Sequence, residues 1–425
     1  MRDLQPLLPF IAIAAVLGMP LISAQAEART PPAALKEMGA IRKVFQQDGN
    51  HLRAVDGLRD LARKYADSRR DMQAVSQFLG TRESWLGNER KAINLFAVHL
   101  FGNRLPPGHA EPPPADAVAQ PLREVIVSLV KDHQLVLVNE AHHISRHRAT
   151  TRSLLQPLYE TGFRYLAMEA LGEPAKMLEA RGYPVADSGF YLKDPEFGDM
   201  IREALRLGYT LIQYEPANSQ SQQERERGQA ANIAAVLEKD PDARILVHAG
   251  YQHIEESGLL FGARTMAQHL EEMTGIDPLT VNQAALTWAG DALEPNAIYS
   301  RAMQLAPATS EAFVLKTADG PWSLEPERYD VSVVTPPTRY LENGRPEWLL
   351  RAGNRSAVTL DVPDGARLVE ARLKNESADG VPVDRVEIRS GESVTLLLPA
   401  GDYRLSWYDI AGEQFASEAL PVEGS

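Results

Sequence analysis

Four short runs of uninterrupted apolar residues, 135–138, 165–168, 210–212 and 245–247, organise the middle of the chain. Runs of this length and character suit strands buried on both faces of a parallel sheet. Between them lie amphipathic segments of helix length, 149–160, 195–207 and 222–237. The alternation predicts βαβ units with right-handed crossovers. Further strand-like runs at 280–284, 313–315 and 331–334 extend the predicted sheet to about seven strands. Upstream, residues 31–103 carry apolar positions at helical spacing: Leu35, Met38, Ile41, Val44 and Phe45, then Leu58, Leu61, Ala62 and Tyr65, then Ile93, Phe96, Ala97 and Leu100. Prolines at 106–107 and 112–114 mark a linker between the two textures. Beyond residue 357 the runs become short and turn-bounded (357–362, 368–373, 385–388, 394–398, 403–407 and 414–420), which predicts a small antiparallel β-sandwich. The expected fold class is α/β, a central mostly parallel sheet flanked by helices, with an N-terminal helical subdomain over 31–105, the α/β domain over 120–355 and an Ig-like β-sandwich over 357–425.

The N-terminus adds an address. Residues 7–22 are almost wholly apolar, and Ala24-Gln25-Ala26 fits a small-x-small cleavage site, so residues 1–26 read as a signal peptide and the mature protein as periplasmic or secreted. Pro9 and Pro20 weigh against a stable membrane span there, and no later stretch has the ~20 apolar residues of a membrane helix. The net charge of −13 speaks against a nucleic-acid partner. The absence of cysteine excludes disulfides, thiolate metal sites and a cysteine nucleophile.

The chemistry concentrates where the strands end. Five of the ten histidines fall in two short segments, 142–147 and 248–253, each directly after a predicted buried strand. The first strand runs into Asn139-Glu140-Ala141-His142-His143, the second ends at Glu169, the third at Glu215, and the fourth at His248 with His253 beyond. All C-termini of parallel strands lie on one edge of an open sheet, and ligands bind at that edge. Glu140, His142 or His143, Glu169, Glu215, His248 and His253 are therefore expected to converge. Such a set either ligates a divalent metal (Zn, Mn or Fe) through Glu140, His142, Glu215, His248 and His253, or orients a histidine as general base on water. Arg146 and Arg148 follow the first motif, and Arg225 and Arg227 open a helix near the third; Arg146, Arg225 and Arg227, with Tyr251, are candidates to bind substrate. No Gly-x-Ser-x-Gly elbow is present, which argues against a serine nucleophile.

Val138-Asn139-Glu140-Ala141-His142-His143, Tyr165-Leu166-Ala167-Met168-Glu169, Arg225 to Ile233, and Val247-His248-Ala249-Gly250-Tyr251-Gln252-His253 resemble the superfamily of erythromycin esterases, ChaN-like haem-binding proteins and Tiki proteases over residues 130–340. In that superfamily a Gly-Glu-x-His or Gly-Glu-x-x-His motif ends the first strand, a glutamate the second, and an Ala-Gly-x-x-His segment a later one. Glu140, Glu169 and His253 match, while Asn139 stands where glycine is usual. ChaN-like spacing selects His142 and esterase-like spacing His143. The resemblance implies a hydrolase of an ester, lactone or amide with Glu140, His142, His143, Glu169 and His253 as catalytic candidates, acting on a small-molecule or peptide substrate. Its alternative is a non-enzymatic binder of haem or another metal-bearing ligand.

Overall fold

The computed structural model describes residues 32–48, 51–101, 111–307, 311–389, 391 and 393–424. The expected signal peptide and the 106–108 part of the linker lie outside the described residues. Four helices come first: α1 (Ala33–Asp48), α2 (His51–Lys64), α3 (Arg69–Trp85) and α4 (Glu89–Phe96), the last running into a π-helical turn over Ala97–Phe101. The sheet-forming region then follows as β1 (Val118–Pro121), α5 (Leu122–Leu129), β2 (Leu135–Glu140), α6 (Ser145–Glu160), β3 (Tyr165–Met168), α7 (Ala175–Arg181), α8 (Pro195–Leu207), β4 (Thr210–Gln213), α9 (Gln222–Lys239), β5 (Ile245–Gly250), α10 (Met266–Thr274), β6 (Leu279–Thr287), α11 (Ala297–Gln304), β7 (Phe313–Thr317), β8 (Gly320–Pro321) and β9 (Val331–Thr335).

These strands form one nine-stranded sheet in the order β1-β7-β9-β6-β2-β5-β3-β4, with β8 paired to β7. From β9 to β4 every pairing is parallel. The two strands the apolar runs do not announce, β1 and β8, both sit at the antiparallel end. Strands β2 and β5 are buried at every position. On one face Val136, Val138, Leu166, Met168 and Leu246 pack on α6 and α8 through Leu155, Leu158, Phe197 and Met200. On the other, Leu135, Leu137, Ala167, Ile245 and Val247 pack on α9 and α10 through Ile233, Leu237 and Leu270. The alternation of side chains along a strand divides each apolar run between two cores, which is why these runs show no polar interruption. Chain direction across the sheet reverses around β5, which returns from the β4 edge to lie between β2 and β3. Such a switch point opens a crevice at the strand C-termini.

The C-terminal region forms two antiparallel sheets, a pair β10 (Ser356–Asp361) with β13 (Ser393–Leu398) and a four-stranded sheet in which β12 (Asp384–Glu387), β11 (Leu368–Leu373), β14 (Gly401–Tyr408) and β15 (Gln414–Val422) are neighbours in that order. Val369, Ala371, Leu396, Leu398, Leu405 and Trp407 form a core between them, consistent with a β-sandwich. The sandwich is nonetheless tied to the rest of the chain. Leu368 packs with the N-terminal helices. Arg59 on α2 bridges Glu83 at 2.8 Å and Glu387 of the sandwich at 2.6 Å. Arg355, fully buried, pairs with Asp199 at 2.7 Å and also with Glu196 on α8. Among the described residues, no helix is long and apolar enough to cross a membrane.

Candidate functional site

Register places the site. Glu140 stands opposite Gly250 across β2 and β5, and His248 lies between Val138 and Met168 of the flanking strands. Glu140 and His248 thus share one face of the sheet, at its C-terminal edge. The Glu140 carboxylate accepts from His142 Nδ1 at 2.8 Å, from His248 Nε2 at 2.9 Å, and from Arg148 Nε and Nη2, both at 2.7 Å. Arg148 is buried on α6, one turn before Thr151, whose hydroxyl meets His248 Nδ1 at 3.1 Å. Asp194, the N-cap of α8, pairs with Arg148 Nη1 at 2.8 Å while accepting from the Glu196 backbone N–H. Burial opposes a charge on Glu140, but Arg148 and the two imidazoles outweigh it and hold the carboxyl well below the usual range.

A second cluster stands beside the first. Glu169 accepts from the Gly250 backbone N–H at 2.5 Å and from Arg225 Nη2 at 2.8 Å. Arg225 also holds Glu215, which accepts from Gln229 at 2.9 Å. His253 pairs through Nδ1 with Glu226 at 2.7 Å, and its Nε2 lies 3.1 Å from Arg225 Nη1 and 3.6 Å from Glu169. Burial works against ionisation of Glu169, yet His253, His142 and Arg225 bring its carboxyl down to about 2. Burial likewise works against charge on His253, but Glu226 and Glu169 raise its pKa above the ordinary 6.5.

His142 joins the two clusters. A Cβ on Gly250 would lie 2.3 Å from His142 Cε1, 2.5 Å from its Nε2 and 2.7 Å from Glu169 Oε2. The ring therefore rests on the bare glycine, with Nδ1 on Glu140 and Nε2 on the side of Glu169. Tyr191 stacks on it at 3.8 Å, and Tyr251 meets it edgewise at 5.0 Å. Tyr251 adopts φ +41°, a conformation costly for a residue with a side chain. It is held there by β2: its N–H donates to Glu140 O at 2.8 Å, and its carbonyl accepts from Asn139 Nδ2 at 2.8 Å. Asn139, where the family resemblance leads one to expect glycine, so anchors the segment that carries Tyr251.

Of the expected site residues, the structure brings together Glu140, His142, Glu169, Glu215, Arg225, His248, Tyr251 and His253. His143 stands behind Tyr251: its ring stacks on Phe96 of α4 at 3.4 Å, its Nδ1 lies 3.4 Å from the Tyr251 hydroxyl, and burial keeps it neutral. Of the two histidines, His142 is the one whose ring meets Glu140. Arg146 turns away to the Pro336 carbonyl at 2.8 Å, and Arg227 stands on the exposed side of α9. Arg148 takes the position expected of Arg146, because two residues along a helix point about 200° apart. His147 is structural: Nδ1 accepts from the Ala141 N–H at 2.9 Å, Nε2 donates to Thr287 at 2.9 Å, and burial presses its pKa to about 3. Sequence reasoning passed over Tyr191, Asp194 and Glu226. The Asp194-Pro195 pair does signal a helix start, but its link to Arg148 is tertiary.

The expected metal ligands form no ready cation site. Among the described residues, no group of three His, Asp or Glu side chains is placed to hold a metal ion. The guanidinium groups of Arg148 and Arg225 occupy the carboxylate oxygens that a divalent ion would need, so the residues present do not fit one. Nor do they fit haem, since Tyr191 covers a face of His142 in a cluster of ion pairs rather than an apolar slot.

No protein-family model and no curated protein matches the chain. Among solved structures, one described as a crystal structure of bacterial protein toxins matches 39% of this chain and 37% of its own at 15% identity and a TM-score of 0.30. Another, described as bacterial protein toxins, matches 64% of this chain and 71% of its own at 13% identity and a TM-score of 0.31. The chain spans little more than a third of the first of these structures.

Proposed function

We propose that the chain is an exported hydrolase in which His142 is the general base that activates water against an ester, lactone or amide carbonyl. The observation that carries this reading is the placement of His142 between two ionised carboxylates, Glu140 on Nδ1 and Glu169 across Gly250. With its Nδ1–H given to Glu140, the ring presents Nε2 as the basic atom. Water loses a proton to Nε2 as its oxygen bonds to the carbonyl carbon. The resulting imidazolium is stabilised by Glu140, and it returns the proton to the leaving oxygen or nitrogen as the carbonyl re-forms. Arg148 keeps Glu140 ionised, and Arg225 does the same for Glu169. Tyr251, whose hydroxyl burial and Glu140 hold in its protonated form, stands beside the base and would turn its hydroxyl from His143 Nδ1, 3.4 Å away, to donate to the carbonyl oxygen. Arg225 and Glu215, each with nearly a fifth of its side chain exposed, mark the side from which substrate enters.

The test is hydrolysis by the full chain of a panel of p-nitrophenyl esters, lactones and amides. Replacement of His142 by Ala is expected to lower kcat/KM by about 10²-fold or more on any substrate turned over. Treatment with a chelator is expected to leave the rate unchanged. A His142 variant as active as the parent, or a chelated protein whose activity returns with zinc, would refute the mechanism.

A further inference from the structure

Residues 189–194 join the site to both outer regions of the molecule. Tyr191–Lys193 form a single 3-10 turn that ends at Asp194, the N-cap of α8. The Tyr191 ring lies nearly parallel to that of His142, at 16° and 3.8 Å. Its neighbour Phe190 meets Tyr191 at 5.1 Å and reaches Trp85 at the end of α3, edge to face at 5.2 Å. Phe190 also packs with Ala54 of α2 and Ile41 of α1. Arg82 of α3 sets its guanidinium over both Trp85 and Phe190, at 5.6 and 5.5 Å. The sandwich holds the far end of the turn: Arg385 of β12 donates to the Lys193 carbonyl at 3.0 Å and to the Trp85 carbonyl at 3.2 Å. Gly189 fixes the near end, since a Cβ there would strike the carbonyl oxygen of Ala170, next to Glu169. For His142, the hydrogen bond to Glu140 fixes one ring nitrogen and leaves the tilt of the ring open, while Gly250 bounds the Cε1–Nε2 edge. The flat face of Tyr191 limits that tilt, and a misplacement of about 1 Å in a reacting group costs about 10²-fold in rate.

We propose that Tyr191 is a positioning residue for His142, and that the N-terminal helices govern it through Phe190, so that the seating of α3 sets the rate without contact to substrate. The effect on rate rests on the hydrolase reading; the relay itself is measured without turnover. In the full chain, Tyr191→Leu is expected to lower kcat on any ester hydrolysed by about tenfold or more with KM nearly unchanged. Tyr191→Phe should recover most of that loss, since the flat ring and not the hydroxyl holds His142. Phe190→Ala should lower kcat in the same way, although its ring meets Tyr191 and Trp85 instead of His142. Melting curves identify folded variants, and Phe190→Leu serves where the alanine variant does not fold. The second readout is NMR of the full chain with 13C-labelled histidine. The His142 Cε1–H signal, assigned by its loss in His142→Ala, should lie upfield under the ring current of Tyr191. It should move downfield in Tyr191→Leu, stay with the parent in Tyr191→Phe, and move in the Phe190 variant. A Tyr191→Leu variant with the parent's kcat, a Tyr191→Phe variant as impaired as Tyr191→Leu, or a His142 signal unmoved in the Phe190 variant would each overturn the proposal. A parent inactive across the whole panel would refute the hydrolase reading alone, and the His142 signal would then decide the relay.

Discussion

At the scale of the residue, the site is a balance of buried charges. Glu140 is tied to Arg148, and both are essentially inaccessible. Removing the Glu140 charge leaves Arg148 with Asp194 alone and weakens the acceptor for His142 and His248, and breaking a buried pair costs about 3–5 kcal/mol. Glu140→Gln should therefore lower stability by that order, measured by urea unfolding, and the loss should be smaller in a background where Arg148 is also replaced by Met. The two neighbouring groups Glu169 and His253 set a pH signature. Glu169 titrates near 2 when folded against 4.5 ordinarily, so its stabilisation is present above pH 4.5 and is lost as pH falls from there toward 2. His253 titrates above its ordinary 6.5, so its contribution is complete below 6.5 and is lost as pH rises through the folded value. The difference in unfolding free energy between the parent and His253→Gln should thus shrink above pH 6.5. A constant difference from pH 5 to 9 would show that His253 carries no extra proton.

At the scale of the element, the end of β5 sets the position of His142, the proposed base. Gly250 has an ordinary extended place opposite Glu140, and its need for glycine comes from contact rather than from φ. In Gly250→Ala the methyl would meet the His142 ring and the Glu169 carboxylate together, so the imidazole must leave Glu140. Overpacking of this kind costs about 1–3 kcal/mol, and activity should fall nearly as far as in His142→Ala. A melting scan together with the hydrolysis assay separates the two effects: a variant that is folded and fully active would contradict this role. The same logic applies between helices. A Cβ on Gly80 of α3 would strike the Phe96 ring at 2.5 Å, so this glycine allows the close approach that seats Phe96 on His143.

At the scale of the whole molecule, three regions meet through buried ions. The start of β10 near residue 357 suggests a separable module, and the sandwich does have a core of its own. Yet truncation after Asn354 would strip Arg355 from Glu196 and Asp199, and Glu387 from Arg59. It would also uncover the apolar surface around Leu368. The shortened chain should lose cooperative unfolding or aggregate, followed by circular dichroism and size-exclusion chromatography. A soluble, cooperatively melting fragment would show that the interface contributes little.

The amino-acid sequence alone determined the layers of this protein. Continuous apolar runs marked the central strands and amphipathic periods the helices, because burial on two faces or on one leaves a local periodic imprint. The parallel direction then put Glu140, Glu169, Glu215 and His248 on one edge, since side chains that follow parallel strands share an end. What the tertiary structure decided is pairing. That His142 meets Glu140 while His143 stacks on Phe96 depends on a helix more than forty residues upstream. The choice of Arg148 over Arg146 depends on the rotation of α6 against the sheet. The division of the cluster around His142 depends on Gly250 having no side chain, and the allocation of carboxylate oxygens to guanidinium groups rather than to a metal depends on Arg148 and Arg225 reaching inward. Each is a contact between segments distant in sequence, and such contacts leave no periodic trace in either segment.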